Sequence, residues 1–199
     1  MQIIQAFLPL GPARKGIKLD KVDGIVLHWP DAPNQTAEET RDFWAGSDNV
    51  QGDSANAVVS ENGVIIQCMP WDEVAYHVGS SRPDPASGRI YTDLARQMFG
   101  YYALNPATTS PNHVLIGIEM ETIDEDGTMT PETVEGTEEL CAYLCNLCHL
   151  DPASRIITHH DVVGWKDCHR WYVNHPEDLD AFRAAVAAKM AEPGEEGAA

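Results

Sequence analysis

Two short apolar runs constrain this chain more than any other feature. GIVLHWP (residues 24–30) and HVLIGIEME (residues 113–121) each hold an unbroken apolar stretch that stops at a polar or ionisable group. Runs of this length read as buried strands. His28 stands at the C-terminal end of the first, which Pro30 closes, and Glu119 stands near the end of the second. A carboxylate placed there is costly to bury unless it is paired or used in chemistry, or else it has already reached solvent.

The rest of the chain supplies elements to pack around these strands. Thr36 and Glu39 have capping-box spacing, which predicts a helix to about Ala45. ANAVVSENGVIIQCM holds two β-rich runs around Asn62-Gly63, a hairpin signal. Residues 80–112 are rich in Ser, Pro, Gly and Asn and read as a long irregular segment with one short helix in TDLARQMFG. Thr130-Pro131 opens a helix running to about His149, RIIT is a short strand, and the last helix covers Asn174 to Met190. Strands interleave with helices and a hairpin is embedded among them. The expected class is therefore α/β, a single domain with a central mixed β-sheet flanked by helices. The expected boundaries are 1–190 for the domain and 191–199 for a flexible acidic tail.

Composition narrows the function. A formal net charge of -18 argues against nucleic acid or an anionic membrane as the main partner. The odd count of five cysteines does not suggest a disulfide framework and points to a reducing environment during folding. MQIIQAFLPLGPARKG has an interrupted apolar run with its basic residues after it, so no signal peptide is expected. No stretch is apolar enough for membrane insertion. A monomer, cytoplasmic at synthesis, is the expectation.

Two stretches are dense in metal-binding residue types. In CAYLCNLC, Cys141, Cys145 and Cys148 share one helix face with a leucine pattern, which predicts core packing over a cluster site. THHDVVGWKDCHRW (residues 158–171) holds three histidines, two aspartates, a lysine and a cysteine. His159 and Cys168 are out of phase on one helix or one strand, but a strand end followed by a loop can present both to one ion. A third ligand has to come from elsewhere. His28 is the best candidate, with His77 and His113 as competitors, and spacing alone does not separate a zinc site from satisfied core histidines. The residues do not decide between His159 and His160. Lys166, two positions before Cys168, makes sense near a metal if negative charge develops there during reaction.

IVLHWP, SANAVVSENGVI, IGIEME and THHDVVGWKDC, in this order and with AYHVGS between them, resemble the zinc-dependent N-acetylmuramoyl-L-alanine amidases of the type-2 family. That family includes phage endolysins and autolysins and shares its fold with peptidoglycan recognition proteins. The resemblance spans about residues 20 to 185. It implies one catalytic Zn2+ held by His28, His159 and Cys168, with His160 at a variable position. It implies Glu119 as general base, Lys166 as oxyanion partner, and His77 and Asn56 as contacts to substrate or supports of the metal shell. Ala55 stands where some relatives carry a catalytic tyrosine, which puts more weight on Glu119. His169 stands where the family usually has proline and is a competitor for the metal, and residues 80–112 are expected to shape specificity.

The implied function is hydrolysis of the amide between N-acetylmuramic acid and L-alanine in peptidoglycan or muropeptides, as an endolysin acting on the wall after release. A non-catalytic peptidoglycan-binding module and a cytosolic muropeptide-recycling amidase are the alternatives.

Overall fold

A computed structural model describes residues 1–191. The expected tail at 191–199 lies outside the described residues except for Ala191, which closes the last helix. Six strands form one mixed sheet: β1 (Ile3–Gln5), β2 (Gly24–His28), β3 (Ala57–Val59), β4 (Ile65–Gln67), β5 (Leu115–Met120) and β6 (Ile156–Thr158), in the order β1-β4-β3-β5-β2-β6. Only β3 and β4 pair antiparallel, as the hairpin around Asn62-Gly63 requires; every other pairing is parallel. Gly63 has φ +76°, the left-handed conformation a tight hairpin needs and glycine adopts without strain.

The helices are α1 (Ala37–Ala45), α2 (Asp93–Phe99), α3 (Tyr101–Leu104), α4 (Pro131–Cys148), α5 (Pro152–Arg155), α6 (His159–Val163), α7 (Arg170–Asn174) and α8 (Pro176–Ala191). The expected capping box at Thr36 and Glu39 is present on α1. No described helix is long and apolar enough to cross a membrane.

Alternation along the strands divides the core. Ile25, Leu27, Ile116, Ile118, Met120 and Ile156 face one layer, where α4 and α8 contribute Leu140, Leu144, Leu179 and Phe182. Cys141 and Cys145 are buried in that layer as packing groups, as the helix pattern predicted. The opposite face is covered in two patches. Val26, Leu115 and Ile157 meet α2, α3 and α6, and Val58 and Ile66 meet Trp44 and Ala37 of α1. Much of the segment 80–112 therefore serves as core cover, through Tyr91, Ala95, Phe99 and Ala103.

Strand register fixes what stands where the parallel strands end. His28 pairs with Glu119, and Leu27 pairs with Thr158, the residue before His159. Three chemistry-bearing residues thus emerge side by side at the carboxyl ends of β2, β5 and β6, where open α/β sheets bind ligands. Glu121 fastens one wall of this region. Its carboxylate accepts from the backbone N–H groups of Ala37 at the start of α1 (3.2 Å) and Glu61 in the hairpin (3.1 Å).

Candidate metal centre

His28, His159 and Cys168 each offer one ligand atom, and these atoms lie within 4.8 Å of one another. All three residues are buried, each no more than 2% exposed. His28 is delivered by β2. His159 follows β6, but the stretch read from sequence as a loop begins with α6. Thr158 caps that helix reciprocally with Asp161: the Asp161 N–H reaches the Thr158 hydroxyl at 3.2 Å, and the Thr158 N–H reaches the Asp161 carboxylate at 2.8 Å. Cys168 lies on the loop beyond Gly164, whose φ of +76° ends the helix.

Hydrogen bonds assign the tautomers of His77, His28 and His159. The Leu115 carbonyl can only accept, so His77 carries its proton on Nε2 (3.5 Å), which leaves Nδ1 as an acceptor. His28 then donates from Nε2 to His77 Nδ1 at 2.9 Å and keeps a lone pair on Nδ1, which stands 3.5 Å from Cys168 Sγ. His159 donates from Nε2 to the Gly79 carbonyl at 3.4 Å, and its buried Nδ1 has no partner among the described residues. Burial, reinforced by Lys166, holds the His159 imidazole neutral, with its pKa pulled down to about 3. Burial also pulls His77 down to about 4 and pushes the Cys168 thiol up.

Two neutral imidazoles and a thiol, buried and close enough to share one ion, fit a zinc ion, which takes nitrogen and sulfur ligands tetrahedrally. The partnerless His159 Nδ1 is the buried polar atom that such an ion would satisfy. The His28–His77 bond is the outer support that ligating histidines typically have.

Glu119 stands beside this trio. One carboxylate oxygen is buried without a partner, and burial pushes the pKa up to about 7, against the pull of Lys166 and with help from Asp53. Lys166 is exposed on the loop and lines the same groove as Glu119, His28, His159 and Cys168. The groove holds about 750 Å³, and its lining also includes Phe43 and Trp44 of α1 and Trp165 and Arg170.

The other residues singled out in sequence fall differently. His77 is buried beneath His28 and also reaches the groove. Its ring lies on Gly117, where a Cβ would stand 2.7 Å from His77 Cγ. Asn56 is not among the groove-lining residues: it is fully buried, and its side chain accepts from the Gly117 N–H (2.9 Å) and donates to the Glu73 carbonyl (3.0 Å), tying β5 to the segment before β3. His169 is fully buried against Tyr172, 4.9 Å between rings, and is outside the three-ligand group. His113 sits in a short turn before β5, also outside that group. The sequence reading missed Trp29, whose indole N–H holds the Asp167 carbonyl at 3.0 Å across the loop. Its place next to His28 was the one available hint.

A family model described as N-acetylmuramoyl-L-alanine amidase (Amidase_2) matches residues 18–171. The N-acetylmuramoyl-L-alanine amidase BlyA of Bacillus subtilis (strain 168) is 30% identical over 186 residues, covering 93% of this chain and 47% of the relative. A probable N-acetylmuramoyl-L-alanine amidase of Bacillus licheniformis is 32% identical over 174 residues, covering 87% and 43%. The chain spans about half the length of the curated relatives it matches. Among solved structures, PlyL superposes with a TM-score of 0.68 at 17% identity, covering 94% of this chain and 97% of that one. The catalytic domain of XlyA gives 0.65 at 20% identity, covering 94% and 99%. These structural likenesses show a shared fold.

Proposed function

The chain belongs to the N-acetylmuramoyl-L-alanine amidase family, and from that premise we propose that it hydrolyses the amide between N-acetylmuramic acid and L-alanine of peptidoglycan, with zinc held by His28, His159 and Cys168. The observation that supports this most is the partnerless Glu119 carboxylate oxygen beside the three convergent ligands. A binding module has no use for a carboxylate oxygen buried beside such ligands with nothing to bond.

When bound, zinc supplies Lewis acidity that makes water a competent nucleophile at neutral pH and polarises the scissile carbonyl. Glu119 takes the proton of the attacking water at its free oxygen and returns it to the departing alanine nitrogen. The Lys166 ammonium donates to the oxyanion that develops on the substrate. His77 holds His28 through Nε2, so the ring cannot turn its Nδ1 away. The groove between Phe43, Trp44 and Trp165 holds the substrate on apolar and aromatic surface.

We assign the activity to lysis of the cell wall in the manner of an endolysin, a setting supported by the likeness to an amidase and to an endolysin of Bacillus subtilis. Digesting purified wall with the zinc-loaded chain and identifying the released ends by mass spectrometry tests the reading. New L-alanine amino termini are expected. Tight binding without release would replace the enzyme with a binding module.

A further inference from the structure

Lys166 and Cys168 both sit on the stretch from Gly164 to Cys168, which has no helix or strand of its own. A short irregular loop holds a long side chain in one direction only if it is itself held from outside, because otherwise ordering it costs too much entropy. The outside holds are visible. Trp29 Nε1–H reaches the Asp167 carbonyl at 3.0 Å, Trp165 Nε1–H reaches Ser80 Oγ at 2.8 Å, and the His160 backbone N–H reaches the Cys168 carbonyl at 2.6 Å. None of these acts at Lys166.

The Lys166 carbonyl accepts from the Cys168 N–H within the loop and, from outside it, from ring Nδ1 of His160 at 3.0 Å. A carbonyl only accepts, so Nδ1 carries the proton. His160 is half-buried, does not line the groove and is not among the three clustered ligands. It follows His159 on α6, a helix fixed at its start by the Thr158–Asp161 cap and at its end by the Gly164 N–H on the His160 carbonyl at 2.7 Å. Gly164 packs so closely on Asp84 that a Cβ there would overlap the Asp84 carboxylate. One rigid turn therefore presents His159 to the ligand cluster and His160 to the back of the lysine loop.

We propose that His160 is a positioning residue for Lys166: its Nδ1–H holds the Lys166 carbonyl and thereby sets the direction in which the ammonium enters the groove. The role of Lys166 rests on the amidase reading; the bracket itself does not.

The side chains of asparagine and glutamine separate the proposal from a merely structural role. Asparagine can place an N–H where histidine has Nδ1, whereas glutamine places it where histidine has Nε2. In the zinc-loaded full chain, His160→Asn keeps kcat within about twofold of wild type, while His160→Gln and His160→Leu lose about tenfold or more with KM little changed. All three bind one zinc, because the backbone bond from residue 160 to Cys168 survives. Hydrogen exchange of the Cys168 amide, which donates to the bracketed Lys166 carbonyl, gives a readout in the metal-free chain that needs no activity: slow in wild type and His160→Asn, faster in the other two. A leucine variant with wild-type kcat, or equal effects of asparagine and glutamine, overturns the proposal. If the wild type releases no L-alanine ends, the amidase reading fails by itself; uniform exchange across all four chains then removes the bracket as well.

Discussion

Gly117→Ala places a methyl group where the His77 ring lies. A Cβ at position 117 would stand 2.7 Å from Cγ and 2.8 Å from Cδ2 and Nδ1 of that ring, and ordinary contact begins near 3.4 Å. Strand β5 cannot retreat, since the Gly117 N–H and carbonyl are both bonded to Asn56 at 2.9 Å. The ring must yield by about 0.7 Å, as overpacked side chains do. That displacement stretches or misaligns the 2.9 Å bond from His28 Nε2 and frees the ligand to turn. Loss of such outer support typically weakens metal binding ~10–100-fold, or ~1.4–2.7 kcal/mol. Overpacking separately lowers the stability of the metal-free fold by ~1–3 kcal/mol. Competition against a chromophoric chelator reads the first quantity, and thermal unfolding in excess chelator reads the second. Gly11→Ala, with nothing within 4 Å of its new Cβ, should change neither. A zinc Kd within about twofold of wild type, together with a lowered Tm, would refute the reasoning, because the ring would have moved without consequence for the ligand.

Glu119→Gln should lower kcat by ~10²–10⁴-fold while zinc stays stoichiometric; loss of zinc in parallel would make Glu119 a structural group of the metal site. The same variant carries a pH signature in the metal-free chain. Burial raises the Glu119 pKa in the folded state to about 7 from the ordinary carboxyl value of 4.5, so the stability that the protonated carboxyl preserves is present below the lower value and lost as pH rises through the higher one. The variant should thus gain stability relative to wild type between acidic and mildly alkaline pH, by up to on the order of 3 kcal/mol, and a Tm difference that does not vary with pH would contradict the burial argument. Cys168→Ser should weaken zinc by more than the ~10–100-fold typical of outer-shell changes; an unchanged metal content in chelator titration would remove Cys168 from the ligand set.

The sequence made legible what local chemistry dictates. Asn62-Gly63 specifies its hairpin by itself, Thr36 and Glu39 cap α1, and the two apolar runs end at His28 and Glu119 because buried strands tolerate such groups only at their ends. Strand register then makes those two residues neighbours, which no local pattern encodes. Helix α6 escaped notice because five residues give too little periodicity, and its cap uses aspartate at the third position, outside the usual Glu/Gln signature. The three-residue β1 owes its existence to pairing with β4, 62 positions away at Ile3 and Ile65. The burial of Asn56 and the support that His77 gives His28 are likewise contacts between distant segments, invisible to spacing.

The buried trio and its carboxylate also carry a charge balance. On the proposed assignment, a Cys168 thiolate and an ionised Glu119 cancel a dication and the two histidines remain neutral, while Asp31, Asp53 and Asp167 outnumber Lys166 and Arg170 by one, so the groove lining carries one net negative charge. Hydrolysis converts water and an amide into a carboxylate and an ammonium, so the muramoyl acid meets like charge in the groove and the alanine amine meets opposite charge. Stronger product inhibition by the peptide amine than by the lactyl carboxylate fragment is the kinetic mark of that balance.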